Sequence, residues 1–299
     1  MTLPRTLLAL ILCLTFLMPI SIGAIQINVS QSDINDENTY TLFAPPPIPI
    51  RNVAEFEPME GVLIRYPFGI SYQIIAEMSE EVIVTTIVAS SSQQTTVQNA
   101  YLSNGVNIAN CEFLIAPSDS YWTRDYGPWF VFDGDDELSI IDFTYNRPRP
   151  NDNAIPAAYA VSQGFSCYYL PLEHTGGNYM TDSQGISIST DLVWSENSGY
   201  SHAQIDQLVE DYLGIATYHV VPDVNGEYIE HIDCWAKYLA PDKILIREVP
   251  TSLEYLLPPR LRTELQIRKK WPRIGPRMIN LYFRIKKMLY SFFPKQGTS

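Results

Sequence analysis

Four short segments gather the side chains that could do chemistry. The first is Trp122-Thr123-Arg124-Asp125-Tyr126-Gly127-Pro128-Trp129. It presents one carboxylate, Asp125, among aromatic rings and ahead of a Gly-Pro turn. Ring faces stack on a planar cation while two carboxylate oxygens accept parallel N–H bonds, so this setting suits a guanidinium. The alternative is an Arg124–Asp125 pair that merely locks the loop. The second segment is Glu173-His174-Thr175-Gly176-Gly177-Asn178. Paired glycines permit a close backbone approach or a positive φ, and Asn178 could orient backbone or ligand. An ordinary tight turn, with His174 as a satisfied core histidine, reads equally well. The third is Glu230-His231-Ile232-Asp233-Cys234-Trp235. As the start of a strand it would point His231 and Asp233 to one side, an imidazole–carboxylate pair fit for proton transfer, with Cys234 on the opposite face. A buried structural ion pair is the alternative. The fourth, Tyr145-Asn146-Arg147-Pro148-Arg149-Pro150, holds two arginines in a stiff proline loop, either a carboxylate clamp or a solvated basic patch.

The elements that must hold these segments alternate between strand and helix. Strands are expected at 61–67, 82–88, 111–116, 165–171, 186–190, 217–221 and 235–247. A strand pair at 129–133 and 138–143 would flank the Gly134-Asp135 turn. Helices are expected at 70–80, 93–103 and 202–213. This order argues for an α/β fold with some antiparallel hairpins. No tandem repeat shows at the residue level, yet a cycle of two or three strands per helix leaves room for a structural one. The Asp125 loop follows one strand and precedes another, at a strand end where α/β proteins commonly place their sites.

Composition sets the outer bounds. The chain has 299 residues, 46% of them hydrophobic, which permits a sizeable core. Residues 7–20 form an apolar run after Arg5 and precede Gly23-Ala24. It is short for a membrane span and reads as a signal peptide over 1–24, implying a secreted, periplasmic or cell-surface protein; an uncleaved anchor is the alternative. Residues 25–50, ending in Pro45-Pro46-Pro47, read as an extended arm. Cys13 would leave with the signal, so Cys111, Cys167 and Cys234 remain, permitting one disulfide. They lack the spacing of a thiolate metal site, and no third ligand cluster joins His231 and Asp233, so no metal or other cofactor is expected. Charge is uneven. Residues 1–250 carry 9 Lys and Arg against 31 Asp and Glu, whereas residues 251–299 carry 11 against 2. The acidic body excludes a nucleic-acid partner, since little in it would neutralise phosphate. The basic 251–299 segment reads as a tail outside the domain, or as a membrane-surface helix.

Taken together, the segments resemble the bacterial peptidylarginine deiminase/agmatine deiminase family. The similarity runs through EFEPMEGVLIRYP (55–67), WTRDYGPW (122–129), YNRPRPND (145–152), HTGGNYMTD (174–182) and HIDCWAKYLAPDKILI (231–246). Of its two branches, the exported peptidylarginine type is the more similar. The resemblance implies a pentein-like α/β-propeller built of ββαβ modules. It implies that Asp125 and Asp233 hold the guanidinium and that His231 is the general acid/base. It places substrate contacts at Trp122, Arg147 and Arg149, at Gly176, Gly177 and Asn178, and at Ile229. The implied ligand is an arginine-containing peptide or agmatine, and the implied reaction a cofactor-free hydrolysis through a covalent thiol adduct.

The sequence departs from that pattern in one respect. The family carries its nucleophilic cysteine late in the catalytic domain, and no cysteine follows Cys234 here. The resemblance ends near Val249-Pro250, where the charge balance reverses. We therefore expect an incomplete propeller over 51–250, an unrelated tail and little or no covalent turnover. A guanidinium-binding protein without catalysis, or a non-functional fragment, are the alternatives.

Overall fold

The computed structural model describes residues 26–28, 40–41, 44–224, 226 and 228–247. The expected signal peptide, most of the expected extended arm and the expected basic tail lie outside them.

The first sheet is wholly parallel. Its strands are β1 (Gln26–Asn28), β4 (Gly61–Arg65), β5 (Ile83–Val88) and β6 (Cys111–Ile115), in the order β1-β6-β5-β4. Helices α1 (Tyr72–Glu81) and α2 (Ser91–Ser103) are the crossovers. Ser71 and Ser90 cap them, each accepting a backbone N–H from the first turn. The β-branched run of β5 is buried along five of its six residues, as a central parallel strand requires.

The remaining sheets repeat one plan. Strands β7 (Trp129–Phe132) and β8 (Leu138–Tyr145) are antiparallel. Helices α4 (Pro150–Asn153) and α5 (Ile155–Gln163) then cross over to β9 (Cys167–His174), parallel to β8. Two short strands, β2 (Tyr40–Thr41) and β3 (Arg51–Asn52), flank this sheet. The next unit has antiparallel β10 (Met180–Thr181) and β11 (Ile186–Thr190), helices α6 (Leu192–Glu196) and α7 (His202–Leu213), and β12 (Thr217–Val221) parallel to β11. Both are ββαβ modules, the repeat the residue pattern left open. The hairpin β13 (Ala236–Ala240) and β14 (Lys243–Ile246) has the antiparallel opening of the same unit. The expected single strand at 235–247 is thus corrected to two, because Pro241-Asp242 turns the chain.

The largest core lies between the second and third sheets. Phe143, Leu170 and Leu172 meet the α7 face formed by Ile205, Val209 and Leu213. That face follows helical periodicity and is closed off by a capping box at Ser201–Gln204 and by Gly214, which ends the helix at φ 66°. Cys111 and Cys167 sit buried in strands, behaving as small apolar side chains. Neither they nor Cys234 form a disulfide, so the single bridge the cysteine count allowed is not made. No helix among the described residues is long and apolar enough to cross a membrane.

One buried carboxylate fixes the approach to the Asp125 loop. Asp152, fully buried, accepts the backbone N–H groups of Asp119 and Ser120 at 2.7 and 3.0 Å and the Ser120 hydroxyl at 2.6 Å. Asp152→Ala would remove the acceptor of all three donors and leave the two on the buried Ser120 without it. We expect a loss of about 2–3 kcal/mol in urea unfolding, together with altered Trp fluorescence from the adjoining Trp122.

Candidate functional site

Three of the four chemistry-bearing segments enter the structure at the same place in a module. The turn α3 (Thr123–Tyr126) leads into β7, a 3-10 turn at Gly176–Asn178 leads into β10, and another at Ile232–Cys234 leads into β13. These three one-turn helices touch at the meeting point of the modules. The site is thereby assembled from equivalent positions of a structural repeat.

Gly177 sits at the centre. A Cβ there would fall 2.7 Å from Asp125 Oδ1 and closer still to His231 Nδ1. A Cβ on Gly176 would strike the Arg124 carbonyl. Neither glycine has a positive φ, so close approach is what requires them. Asn178 ties the turns together. Its side-chain oxygen accepts the Thr190 N–H at 2.9 Å and the Ile232 N–H at 3.3 Å. Thr190 reaches the Glu230 carbonyl through its hydroxyl at 2.6 Å. Glu230 itself has φ 53°, a left-handed conformation uncommon for a residue with a side chain, immediately before His231.

The geometry revises the expected pairing. His231 and Asp233 do not share a strand face, because residues 232–234 wind as a 3-10 turn and the strand starts only at Ala236. His231 Nδ1 instead lies 3.6 Å from Asp125 Oδ1, close but longer than a hydrogen bond. Asp233 Oδ2 lies 3.8 Å from Arg124 Nε. Cys234, expected on the face away from Asp233, is exposed and hydrogen-bonded to the Asp233 carboxylate.

Burial sets the charge states. It pushes the Asp125 carboxyl up to about 6, helped by the neighbouring charge of Asp233 and opposed by Arg124, Arg147 and a hydrogen bond from the Gly177 N–H. Burial also raises Asp233, against the pull of Arg124 and Lys237. His231 moves the other way, to about 4, through burial and the charges of Arg147 and Arg124. Near neutral pH the site therefore holds a neutral imidazole beside an ionised carboxylate. His231 Nε2 is buried with no protein hydrogen-bond partner.

The other expected residues divide. Trp122 is about half exposed, its ring 4.8 Å from that of Tyr121. Arg147 lies near enough to Asp125, His231 and Glu196 for its charge to bear on all three. Arg149 turns aside to the Ser120 and Tyr145 hydroxyls at 3.3 and 3.4 Å. Ile229 is half-buried beside the exposed Tyr228. His174 is a core histidine. Burial drives it to about 4, it accepts the Thr175 N–H at 2.8 Å, and it packs edge-on against Trp129. Glu196 was not singled out from sequence. Its carboxylate accepts from Asn146 Nδ2 at 2.6 Å, and burial lifts it to about 7. Nothing local in the sequence marks it, because its partner lies fifty residues away. Among the described residues, no three His, Cys, Asp or Glu side chains are grouped as a metal site would need.

A family model for Porphyromonas-type peptidyl-arginine deiminase matches residues 51–266. The chain belongs to that family. The match takes in all three turns and runs past the charge step near residue 250. The chain is also 26% identical over 153 residues to agmatine deiminase of Pseudomonas putida, and 28% over 153 residues to a protein of Yersinia pseudotuberculosis described as a putative agmatine deiminase. Each alignment covers 46% of this chain and 42% of the relative, so the matched stretch spans less than half the relatives' length. Solved structures agree on the fold. The agmatine deiminase of C. jejuni superposes with a TM-score of 0.60 at 19% identity, covering 74% of this chain and 70% of that one. The agmatine deiminase of Enterococcus faecalis gives 0.61 at 20% identity, covering 73% and 65%. The ββαβ modules are thus those of the pentein α/β-propeller to which these deiminases belong.

Two consequences can be measured. Gly177→Ala should cost about 1–3 kcal/mol, because the added methyl has no room beside His231 and Asp125. Thermal unfolding reads this directly. For Asp125, the native state takes up a proton more readily than the unfolded chain, whose carboxyl has its ordinary value of 3.8. The cost of burying its charge is therefore felt above about pH 6 and disappears as pH falls through 6 towards 3.8. Asp125→Asn should stabilise the protein by about 2 kcal/mol near pH 8, with the gain shrinking as pH falls through about 6 and gone below about pH 4.

Proposed function

We propose that this chain grips a guanidinium group between Asp125 and Asp233 as the recognition half of a deiminase site. The observation that carries the reading is the pairing of the buried Asp125 carboxylate with the half-buried Asp233 carboxylate. They come from different modules, and the charge of Asp233 raises the hold of Asp125 on its proton, a repulsion that a bound cation relieves. Two carboxylates also match the several N–H donors of a guanidinium fork. Trp122 stands half exposed next to Asp125, where its ring can stack on the flat cation. His231, neutral and with Nε2 unpartnered, serves as the group that moves protons to and from the leaving nitrogen.

The reaction supported is hydrolysis of the guanidinium. A thiol gives its proton to His231 and adds as the thiolate to the central carbon, ammonia departs with that proton, and water, giving a proton to His231 in turn, releases the thiol and a ureido product. The substrate is a peptidyl arginine, giving peptidyl citrulline, or agmatine, giving carbamoylputrescine. Arg147 favours the former when arginine is C-terminal, because its charge can meet a substrate carboxylate that agmatine lacks. The apolar start of the chain supports action outside the cytoplasm.

Supply of the thiolate limits this chain. Cys111 and Cys167 are buried within strands, and no cysteine follows Cys234. Cys234 is exposed, and its thiol hydrogen-bonds the Asp233 carboxylate. We therefore assign guanidinium binding to these residues and little or no covalent turnover.

Calorimetric titration with agmatine and with a peptide ending in arginine tests both halves. Binding is expected near neutral pH, weakening as pH falls through about 6 where Asp125 takes up its proton, and lost in Asp125→Asn. Ammonia release should stay at background. Sustained release that disappears in Cys234→Ser would overturn the assignment of the missing thiolate.

A further inference from the structure

A second layer of charge stands behind Asp233. Arg124 places Nε 3.8 Å from Asp233 Oδ2 and Nη1 2.8 Å from Glu55 Oε1, and donates Nη2 to the Tyr179 carbonyl at 2.9 Å. Lys237, on β13, pairs with the other oxygen of Glu55. One carboxylate from the segment before β4 therefore holds two cations, one from the turn before β7 and one from the hairpin after the His231 turn.

The two cations pose a problem for a site meant to hold a guest cation. Arg124 is itself a guanidinium beside Asp233, and Lys237 bears on the same carboxylate. Left alone, they would satisfy Asp233 from within. Charges at this range act through their sum. Asp125, Asp233 and Glu55 supply three negative charges; Arg124, Lys237 and Arg147 supply three positive ones. The cluster is formally neutral, and removal of Glu55 would make it cationic, repelling a guanidinium.

We infer that Glu55 is a positioning residue that draws Arg124 and Lys237 away from Asp233, keeping the Asp125–Asp233 pair available to a guest guanidinium. The inference rests on the guanidinium reading of the site. Glu55 does not touch the guest. It acts by engaging the two host cations, and its own charge opposes theirs at Asp233. The arrangement also explains why Arg124 spans Glu55, Tyr179 and Asp233 together. A guanidinium with three separate partners is held in place, and it cannot swing onto Asp233 as a bidentate internal ligand.

The test is a charge series in the full chain, titrated calorimetrically with agmatine near neutral pH and low salt, with thermal unfolding recorded for each variant. Glu55→Gln adds one positive charge to the cluster and should weaken binding on the order of tenfold, since the group is partly exposed and screened. Lys237→Met removes one and should tighten binding by about threefold or more. The double variant restores the original sum and should bind within about threefold of the parent. Unchanged binding in Glu55→Gln overturns the inference. So does a loss that persists in the double variant, which would mean that Glu55 acts through packing. If Glu55→Gln lacks a cooperative transition, Lys237→Met decides alone: tightening supports the inference, and unchanged or weaker binding overturns it. Asp125→Asn separates the two levels. If it binds as tightly as the parent, the guanidinium reading itself falls, whatever the Glu55 series shows.

Discussion

The contact on which the site depends is the approach of Gly177 to His231 and Asp125. Three helical turns from three successive module entrances meet there, and the space between them is less than one methyl group. Only a glycine lets the middle turn in. Asn178 then spends its side-chain oxygen on the backbone of its neighbours, so the turns are fixed to one another and not only to their own strands. The left-handed Glu230 belongs to the same device, because the chain must bend sharply to bring His231 under Gly177.

Placing acid and base groups at this junction has an electrostatic result that pairing alone would not give. Burial raises the carboxyl and lowers the imidazole, so over a window between about 4 and 6 the proton resides on Asp125 while His231 stays neutral. The ordinary order of the two residue types is inverted. Desolvation, not the ion pair, governs the charge states, and the 3.6 Å separation agrees with that. The site is accordingly a place of stored unfavourable energy. It is tolerated because the packed modules behind it, with Phe143, Leu170 and the α7 face, supply the stability.

Much of this was legible in the residues. The β-branched runs at 83–88 and 217–221 and the capped, periodic helix at 202–213 appear where their patterns put them. The three turns were visible as clusters of glycine, aromatic and ionisable residues. The failures have local causes. Helix α5 carries Pro156 and no charged residue, and Ile155, Pro156, Ala157 and Ala158 are buried in succession, so it lacks an amphipathic signature. The segment from Trp235 onward looks like one strand because Pro241-Asp242 is brief. His231 and Asp233 satisfy a period of two, but a single 3-10 turn intervenes, and periodicity cannot register so short an element. Glu55, Lys237 and Glu196 pair with partners distant in sequence, which spacing does not reveal.

The placement of Asp125 and His231 at the mouths of separate modules also bears on how the chain acquires its shape. No module contains the site; each contributes one corner, and the corners are separated by some fifty residues of intervening strand and helix. Contacts of such long range form after local structure, because loop closure must be met first. The pocket should therefore be among the last features to mature, and a ligand that needs both carboxylates would recognise only chains whose modules have docked. Occupancy then acts as a thermodynamic latch, shifting the population from partly assembled forms to the closed one by mass action.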